Sequence, residues 1–242
     1  MPIVQKKIII IGATSGIGRK LAENYAEKGF TVGISGRRIE LLKEIGQQFP
    51  GQIVYECFDI TANENIDHLE RLINKSGGLD ILIISAGIGE PSKDLSWAID
   101  KKTINTNVNG FAEIANRAFN FFVHQGYGHL AAISSVGANR GGSRASSYNA
   151  SKAFQSNFLE GLAIKAKNIN KEITVTCIEP GFLETKKLNT KNLFGVIPVD
   201  KAARQIMKAI DKKKRKVYIS RRWWLIAKMM KWMPWWIYSK IG

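Results

Sequence analysis

Short apolar segments alternate with longer amphipathic segments along almost the whole chain. Glycine or polar turns bound the apolar segments, and the stretches between them repeat apolar residues with the spacing of a helix. This alternation predicts strands joined by crossover helices, in a parallel sheet that is covered on both faces. We therefore expect a Rossmann-like, doubly wound α/β fold in three layers, with strands at 6–11, 30–35, 52–60, 79–87, 126–135, 172–181 and 216–220.

The chain length and the helical segments fit one domain followed by a tail. A chain of 242 residues can bury a large core as a single unit. We assign residues 1–220 to a single α/β domain and residues 221–242 to a basic, amphipathic tail. The first helix is predicted to end at Gly29, and further helices are predicted at about 64–75, 97–125, 148–167 and 199–213.

A glycine-rich turn follows the first apolar segment and precedes a helix. Gly12, Gly16 and Gly18 have the spacing G-x-x-x-G-x-G, which permits a tight turn and a close approach to a pyrophosphate group. The positive end of the helix would face the phosphates, and Thr14 and Ser15 add hydroxyl donors. The strand before the turn and the helix after it make this a predicted dinucleotide site.

The ends of the next strands predict which nucleotide binds. Arg37 and Arg38 follow the second strand, where an acidic residue would bind the free 2′-hydroxyl of NAD. Two guanidinium groups suit a 2′-phosphate instead, so NADP is favoured over NAD. Asp59 closes the third strand and could accept from the adenine amino group, while Ala86 and Gly87 end the fourth. The alternatives are that the arginines begin a solvated helix and that Asp59 caps one.

Ser135, Tyr148 and Lys152 are the candidate catalytic residues. Tyr148 and Lys152 stand four apart in a helical segment, so they face the same side. An ammonium near a phenol would lower the pKa of the phenol, and Ser135, at the end of the fifth strand, would share the reacting oxygen. A Tyr and a Lys at this spacing also occur by chance, as a half-buried ring and a solvated charge.

The tail carries most of the positive charge. Net charge is +16, and residues 201–242 contain thirteen Lys or Arg but one acid, Asp211. The last 22 residues hold five of the six tryptophans, and a helix up to Pro234 would place apolar residues on one side and basic residues on the other. The predicted apolar side contains Trp223, Ile226, Met230 and Met233, and the basic side contains Arg221, Lys228 and Lys231.

This pattern is typical of peripheral attachment to an anionic membrane surface. The alternatives are that the tail packs on a neighbouring subunit or covers the substrate. No nucleic-acid recognition motif is present, so nucleic acid is not expected as a partner. No metal-ligand spacing is present, and no metal is expected. Cys57 and Cys177 lie in apolar segments, which favours reduced core residues, and the N-terminal apolar run is too short for a signal peptide. A cytoplasmic location is predicted, with attachment at the inner membrane surface.

Residues 6–220 resemble the short-chain dehydrogenases/reductases of the single-domain type. Tyr148 with Lys152 matches the YxxxK signature of that family, Ser135 its catalytic serine, and the glycine turn its nucleotide turn. The resemblance implies that Asn107 bends a helix and holds a proton-relay water. It also implies that Pro180, Gly181 and Thr185 meet the nicotinamide, and that Asp59 with Ile60 lies beside the adenine. The complete predicted nucleotide set is Gly12, Thr14, Ser15, Gly16, Ile17, Gly18, Arg37, Arg38, Asp59, Ile60, Ala86, Gly87, Tyr148, Lys152, Pro180, Gly181 and Thr185.

The expected activity is hydride transfer between NADP and a carbonyl or secondary alcohol of a lipophilic small molecule. Tyr148 would be the general acid in reduction, and Ser135 would donate to the same oxygen. A homodimer or homotetramer is expected. The alternative is a non-catalytic, membrane-associated NADP-binding protein that keeps the fold, because a fold alone does not establish a function.

Overall fold

The structure is a computed structural model that describes residues 6–92, 94–184 and 195–240. The strands are β1 Lys7–Ile11, β2 Thr31–Gly36, β3 Ile53–Cys57, β4 Ile81–Ile84, β5 Tyr127–Ile133, β6 Glu172–Pro180 and β7 Lys216–Ile219. The helices are α1 Gly16–Glu27, α2 Ile39–Gln48, α3 Asn65–Ser76, α4 Trp97–Ile104, α5 Phe111–Gln125, α6 Ser146–Asn168, α7 Val199–Asp211, α8 Arg221–Trp232 and α9 Trp235–Tyr238.

The seven strands form one parallel sheet in the order β3-β2-β1-β4-β5-β6-β7. The order reverses at β1, which pairs with β2 on one side and with β4 on the other. In sheets of this kind ligands bind beyond the carboxyl ends of the strands, at the point of reversal. The predicted doubly wound α/β fold is confirmed.

The core lies on both faces of the sheet, because successive side chains of a strand point to opposite sides. Ile8 and Ile10 of β1 pack with α1, α2 and α7, whereas Ile9 and Ile11 pack with α3, α5 and α6. All four side chains are fully buried. Burial on both faces explains why β1 is a continuous apolar run rather than an alternating one.

Several strands end earlier than the apolar pattern predicted. β3, β4 and β5 stop at residues 57, 84 and 133, so residues 58–60, 85–87 and 134–135 lie beyond the sheet ladder. Phe58, Ile60 and Ser134 are still buried, whereas Gly87 is exposed and the other residues of these stretches are half-buried. The three short extensions therefore form the edge at which the candidate site lies.

The helical region predicted at 97–125 contains an irregular turn. α4 and α5 are joined by a π-helical turn at Asn105–Gly110. Within it Asn107 is fully buried, and its side chain bonds to the main chain of Ile88. A buried amide must satisfy its polar atoms, and single π turns often occur at functional sites. The turn places Asn107 beside the loop that follows β4.

The tail forms α8 and α9 and packs on the body of the domain. Trp223 and Ala227 are buried, and the indole of Trp223 lies against Gly181, where an added Cβ would be 2.0 Å from the ring. Among the described residues, no helix is both long enough and apolar enough to cross a bilayer.

The predicted orientation of α8 is wrong. Trp223 is buried, and Ile226, Met230 and Met233 are half-buried, so the side that was expected to meet a membrane faces the protein. The reason is the space beside Gly181, which accepts the Trp223 ring. A different set of apolar side chains is exposed, which we call the tail face: Trp224, Leu225, Met229, Trp232, Trp235, Trp236 and Ile237.

Candidate active site

The glycine turn between β1 and α1 has the geometry of an anion site. Gly12 has φ +86° and lies so close to Ala86 that an added Cβ would be 2.6 Å from its backbone, and a Cβ on Gly18 would be 2.2 Å from the Gly12 carbonyl oxygen. Both positions therefore need glycine. At Gly16 an added Cβ would meet nothing within 4 Å, so the start of α1 is open.

The first turn of α1 leaves its N–H groups available. Ser15 is the N-cap residue but makes no side-chain capping bond, and the turn contains no acidic residue. The unpaired N–H groups and the positive end of the helix dipole favour a bound phosphate. The side chain of Ile17 packs in the core, so only its main chain can take part. The turn thus fits the pyrophosphate of a dinucleotide.

Arg38, rather than Arg37, reaches the glycine turn. The Arg38 Nη2 atom donates to Thr14 Oγ1 at 2.6 Å and to Ser15 Oγ at 2.9 Å. Arg37 is exposed and pairs with Asp59, with 3.5 Å between Nη1 and Oδ2. From the end of β2, the Arg38 guanidinium therefore reaches the glycine turn, and the Arg37 guanidinium reaches Asp59 beyond the end of β3.

Asp59 is already partnered within the protein. Its Oδ1 accepts from the backbone N–H and the hydroxyl of Thr61, each at 2.9 Å. Partial burial opposes ionisation, but these bonds and the Arg37 charge outweigh it and hold the pKa of Asp59 below its ordinary value. The carboxylate stabilises the turn before α3 through Thr61 and does not cap that helix, whose N-cap residue is Glu64, and its second oxygen faces Arg37.

Ser135, Tyr148 and Lys152 come together at the ends of β5 and α6. The Ser135 hydroxyl lies within hydrogen-bonding reach of the Tyr148 phenol, and the Lys152 Nζ atom lies 5.8 Å from the centre of the Tyr148 ring. Ser134 fixes the two elements to each other, because its hydroxyl donates to the Lys152 carbonyl at 2.9 Å. The Tyr148 ring packs on Gly89, where an added Cβ would be 2.5 Å from Cδ2.

The electrostatics of the pair differ from the prediction. Burial raises the pKa of Tyr148, and the hydrogen bond with Ser135 opposes that shift only in part. Burial also lowers the pKa of Lys152 to about 8. The predicted lowering of the Tyr148 pKa by Lys152 is not seen, because the ammonium reaches past the ring to other acceptors. Both groups therefore shift toward their neutral forms.

Those acceptors involve Gln155, which the sequence analysis missed. Lys152 Nζ donates to the carbonyl of Ile133 and to Gln155 Oε1, both at 2.9 Å. Gln155 Nε2 donates in turn to the carbonyl of Asn107 at 2.9 Å. Residues three apart on a helix are neighbours, so the spacing of Lys152 and Gln155 is the signal that could have found this contact.

The remaining predicted nucleotide residues border the same space. Gly87 follows β4, and a Cβ there would be 3.2 Å from Lys152 Nζ; Ala86 packs on Gly12. Ile60 is buried, and its carbonyl accepts from the Asn65 side chain. Pro180 ends β6, and Gly181 begins the loop that contacts Trp223. Thr185 lies outside the described residues.

The tail contacts the loop that follows Ser135. Arg140 donates from Nη1 to the carbonyls of Met230, at 2.8 Å, and Met233, at 2.7 Å. Its guanidinium also lies 4.5 Å from the centre of the Tyr238 ring, and the Tyr238 hydroxyl donates to the Gly141 carbonyl. Arg140 therefore connects both tail helices to a loop that starts five residues after the candidate catalytic serine.

Comparisons with known proteins agree with this geometry. A model of the short chain dehydrogenase family matches residues 6–213. An uncharacterized oxidoreductase of Myxococcus xanthus (strain DK1622) is 34% identical over 190 residues, which cover 76% of this chain and 74% of that protein.

Two solved structures share the fold. A 3-ketoacyl-(acyl-carrier-protein) reductase from Brucella melitensis complexed with NADH has a TM-score of 0.80 at 22% identity, over 88% of this chain and 96% of its own. The structure of ElxO with NADP bound has a TM-score of 0.78 at 21% identity, over 89% and 97% of the two chains.

Proposed function

Because the chain belongs to the short-chain dehydrogenase family and is an NAD(P)-dependent oxidoreductase, we propose that it is NADP-dependent and reduces a carbonyl group of a lipophilic small molecule, or oxidises the corresponding secondary alcohol. The observation that carries the proposal is the convergence of Ser135, Tyr148 and Lys152 next to an open, uncapped helix start. The bound nucleotide supplies or accepts the hydride.

Each of the three side chains has a role that its contacts support. Tyr148 gives its phenolic proton to the substrate oxygen in reduction and takes it back in oxidation. Ser135 donates to the same oxygen and stabilises the negative charge that develops there. Lys152 keeps one N–H beyond those used by Ile133 and Gln155, and this donor is available to the nucleotide beside Gly87.

The preference for NADP rests on the charge around the end of β2. Arg38 is held by the hydroxyls of Thr14 and Ser15, and Arg37 is exposed beside Asp59, so both can contact a 2′-phosphate. Arg38→Glu should lower kcat/KM with NADPH by at least about tenfold and leave kcat/KM with NADH within about threefold. Arg204→Glu, on the exposed side of α7, is the matched charge control. Equal losses with both coenzymes would contradict an NADP preference.

The preference for a lipophilic substrate rests on exposed apolar side chains around the site. Leu95 and Trp97 lie in and after the loop that follows β4, and Phe182 follows Gly181 and packs edge-to-face on Trp223, with the ring centres 5.3 Å apart. Exposed apolar residues on the loops at the carboxyl ends of the strands commonly mark a binding surface. They favour an alkyl or aryl carbonyl compound over a charged metabolite.

NADPH oxidation at 340 nm tests the activity directly. We expect turnover with medium-chain aldehydes or ketones and little with short, charged keto acids. The competing hypothesis is a non-catalytic NADP-binding protein, which would bind NADPH but turn over none of the carbonyl compounds. Faster turnover of the charged keto acids would contradict the lipophilic substrate class but not the reductase.

We further propose that the tail, residues 221–242, attaches the protein to an anionic membrane surface from the cytoplasmic side. The tail face exposes Trp232, Trp235 and Trp236, at 81%, 73% and 68%, and Lys228 and Lys231 are exposed on α8. Tryptophan favours the headgroup level and lysine favours anionic lipid. These features support a bilayer as the partner.

Vesicle sedimentation separates this partner from the alternatives. The parent should pellet with phosphatidylglycerol vesicles and not with phosphatidylcholine vesicles. Replacing the three exposed tryptophans with serine should weaken binding by at least about tenfold. Trp97→Ser, which removes an exposed tryptophan of the main domain, is the control. Parent-like pelleting of the triple variant would contradict membrane attachment through the tail.

Self-association is proposed through α6. This helix exposes Phe154 and Ile164, and Phe154 stacks on Phe158 with the ring centres 5.5 Å apart. An apolar stripe on a long surface helix suits an isologous contact between two copies. Light scattering should give a dimer or tetramer for the parent and a monomer for the double variant Phe154→Lys, Ile164→Lys. An unchanged mass would exclude this surface.

A further inference from the structure

The Lys152 ammonium is buried, and no carboxylate of the described residues forms a hydrogen bond or ion pair with it. Only 5% of the residue is exposed, and the described hydrogen bonds of Nζ go to one main-chain carbonyl and one side-chain amide. An ion in such a place depends on its few acceptors, because burial removes most of its contact with solvent. The position and charge of this ammonium are therefore set by Ile133 and Gln155.

Gln155 is built into the site as a bridge. It is 1% exposed, accepts from Lys152 Nζ and donates to the Asn107 carbonyl. Asn107 is itself fixed, because its side chain bonds to both main-chain polar groups of Ile88 and to the Ser151 hydroxyl. Rotation of the Gln155 amide would break one of these two bonds. The position of the π-helical turn therefore fixes the position of the Lys152 ammonium through Gln155.

Among the side chains around Lys152, the Gln155 amide is the main uncharged acceptor for the ammonium. In the described part of the chain, the titratable groups that face Lys152 are Tyr148 of α6 and the Cys177 thiol of β6. The described contacts of the Glu179 carboxylate of β6 are with Ser156, Asn139 and Lys216 rather than with Lys152. The π-helical turn and the loop after β4 present Asn107 and Gly87, which do not titrate. A change at residue 155 would therefore act on the lysine itself.

We propose that Gln155 is a positioning residue for the oxidoreductase reaction, which holds the Lys152 ammonium between α6 and the π-helical turn and controls its ionisation. The proposal rests on the proposed function only for the role of Lys152. An amide at this position keeps the lysine able to change its charge near neutral pH, whereas a carboxylate would fix it as a cation.

Lysine NMR tests this without any turnover. The protein is labelled with ¹³C at the lysine Cε atoms, and the Lys152 signal is identified as the one missing from Lys152→Met. In the parent this signal should titrate with a pKa of about 8. Gln155→Met, which keeps the shape and removes the acceptor, should lower that pKa by about one unit. Gln155→Glu should raise it by at least about one unit.

The matched control is Gln125→Met. Like Gln155, Gln125 donates from its side-chain amide to the main chain, here to the carbonyls of Leu79 and Tyr127, but at the opposite end of the sheet. It should lose similar stability and leave the Lys152 titration unchanged. If the Lys152 pKa in both Gln155 variants stays within about 0.3 unit of the parent value, the proposal is wrong. Should Gln155→Met fail to fold by circular dichroism, Gln155→Glu alone decides it. Absence of turnover in the parent would contradict the proposed function and leave this titration interpretable.

Discussion

In α6 and in α8, a lysine lies over the ring of the aromatic residue four positions before it. In α6 the pair is Tyr148 and Lys152, with Nζ 5.8 Å from the ring centre. In α8 it is Trp224 and Lys228, with Nζ 4.2 Å from the ring centre. The spacing is the same, and the cation lies closer to the ring in α8. The difference between the pairs is their surroundings.

Burial gives the pair in α6 its chemistry. It raises the pKa of Tyr148 and lowers that of Lys152 to about 8, and neighbouring groups fix both side chains. In α8 the lysine is exposed and Trp224 is 48% exposed, so water solvates the charge. An aromatic residue and a lysine at this spacing therefore become suited to catalysis through desolvation and hydrogen-bond partners. Neither of these follows from the spacing alone.

The sharpest contrast comes from Tyr148→Phe. This change removes the proton donor but keeps the ring that packs on Gly89. Turnover of NADPH with an aldehyde should fall by about 10²–10⁴-fold, while NADPH binding, measured by fluorescence titration, stays within about twofold. Tyr127→Phe, at an exposed position at the start of β5, should change neither quantity. Turnover within about tenfold of the parent would remove Tyr148 from the acid role.

Lys152→Met tests whether the burial of Lys152, which the exposed Lys228 lacks, makes the free energy of unfolding depend on pH. The folded-state pKa of Lys152, about 8, lies below the ordinary value of 10.5. Between these values the unfolded chain binds more protons than the folded chain, so the free energy of unfolding rises with pH through Lys152. Urea unfolding at several pH values should show a parent slope up to about 1.4 kcal/mol per pH unit steeper than that of the variant. Parallel slopes would mean that Lys152 is not desolvated.

Much of this site could be predicted from the sequence, because it follows from the ends of strands. The Gly12 to Gly18 turn, the parallel sheet and the convergence of Ser135 with Tyr148 depend on local patterns that the parallel topology brings to one edge. The contact between Gln155 and Asn107 was not predictable in the same way, since the two residues lie 48 positions apart in different helical elements. The orientation of α8 also depended on a distant residue, Gly181.

Arg140→Ala tests whether the tail depends on the loop after Ser135. Its guanidinium holds carbonyls at the end of α8 and lies over Tyr238 of α9. Loss of these contacts should reduce the local stability of the tail by about 2 kcal/mol, visible as faster hydrogen exchange in 221–240. Arg144→Ala, an exposed neighbour in the same loop, is the control. Unchanged exchange in the Arg140 variant would show that the other contacts of α8 suffice.

The smallest effect is expected from Lys228→Gln, which removes the charge of the exposed pair. An exposed cation over an aromatic ring contributes little, so the free energy of unfolding should change by less than about 0.5 kcal/mol. Turnover and its pH profile should match the parent, because the ring of Trp224 and the charge of Lys228 do not contact the site. Affinity for phosphatidylglycerol vesicles should fall by about fivefold, since one basic residue near an anionic surface contributes about 1 kcal/mol. A pH profile altered by this variant would contradict the division between the two pairs.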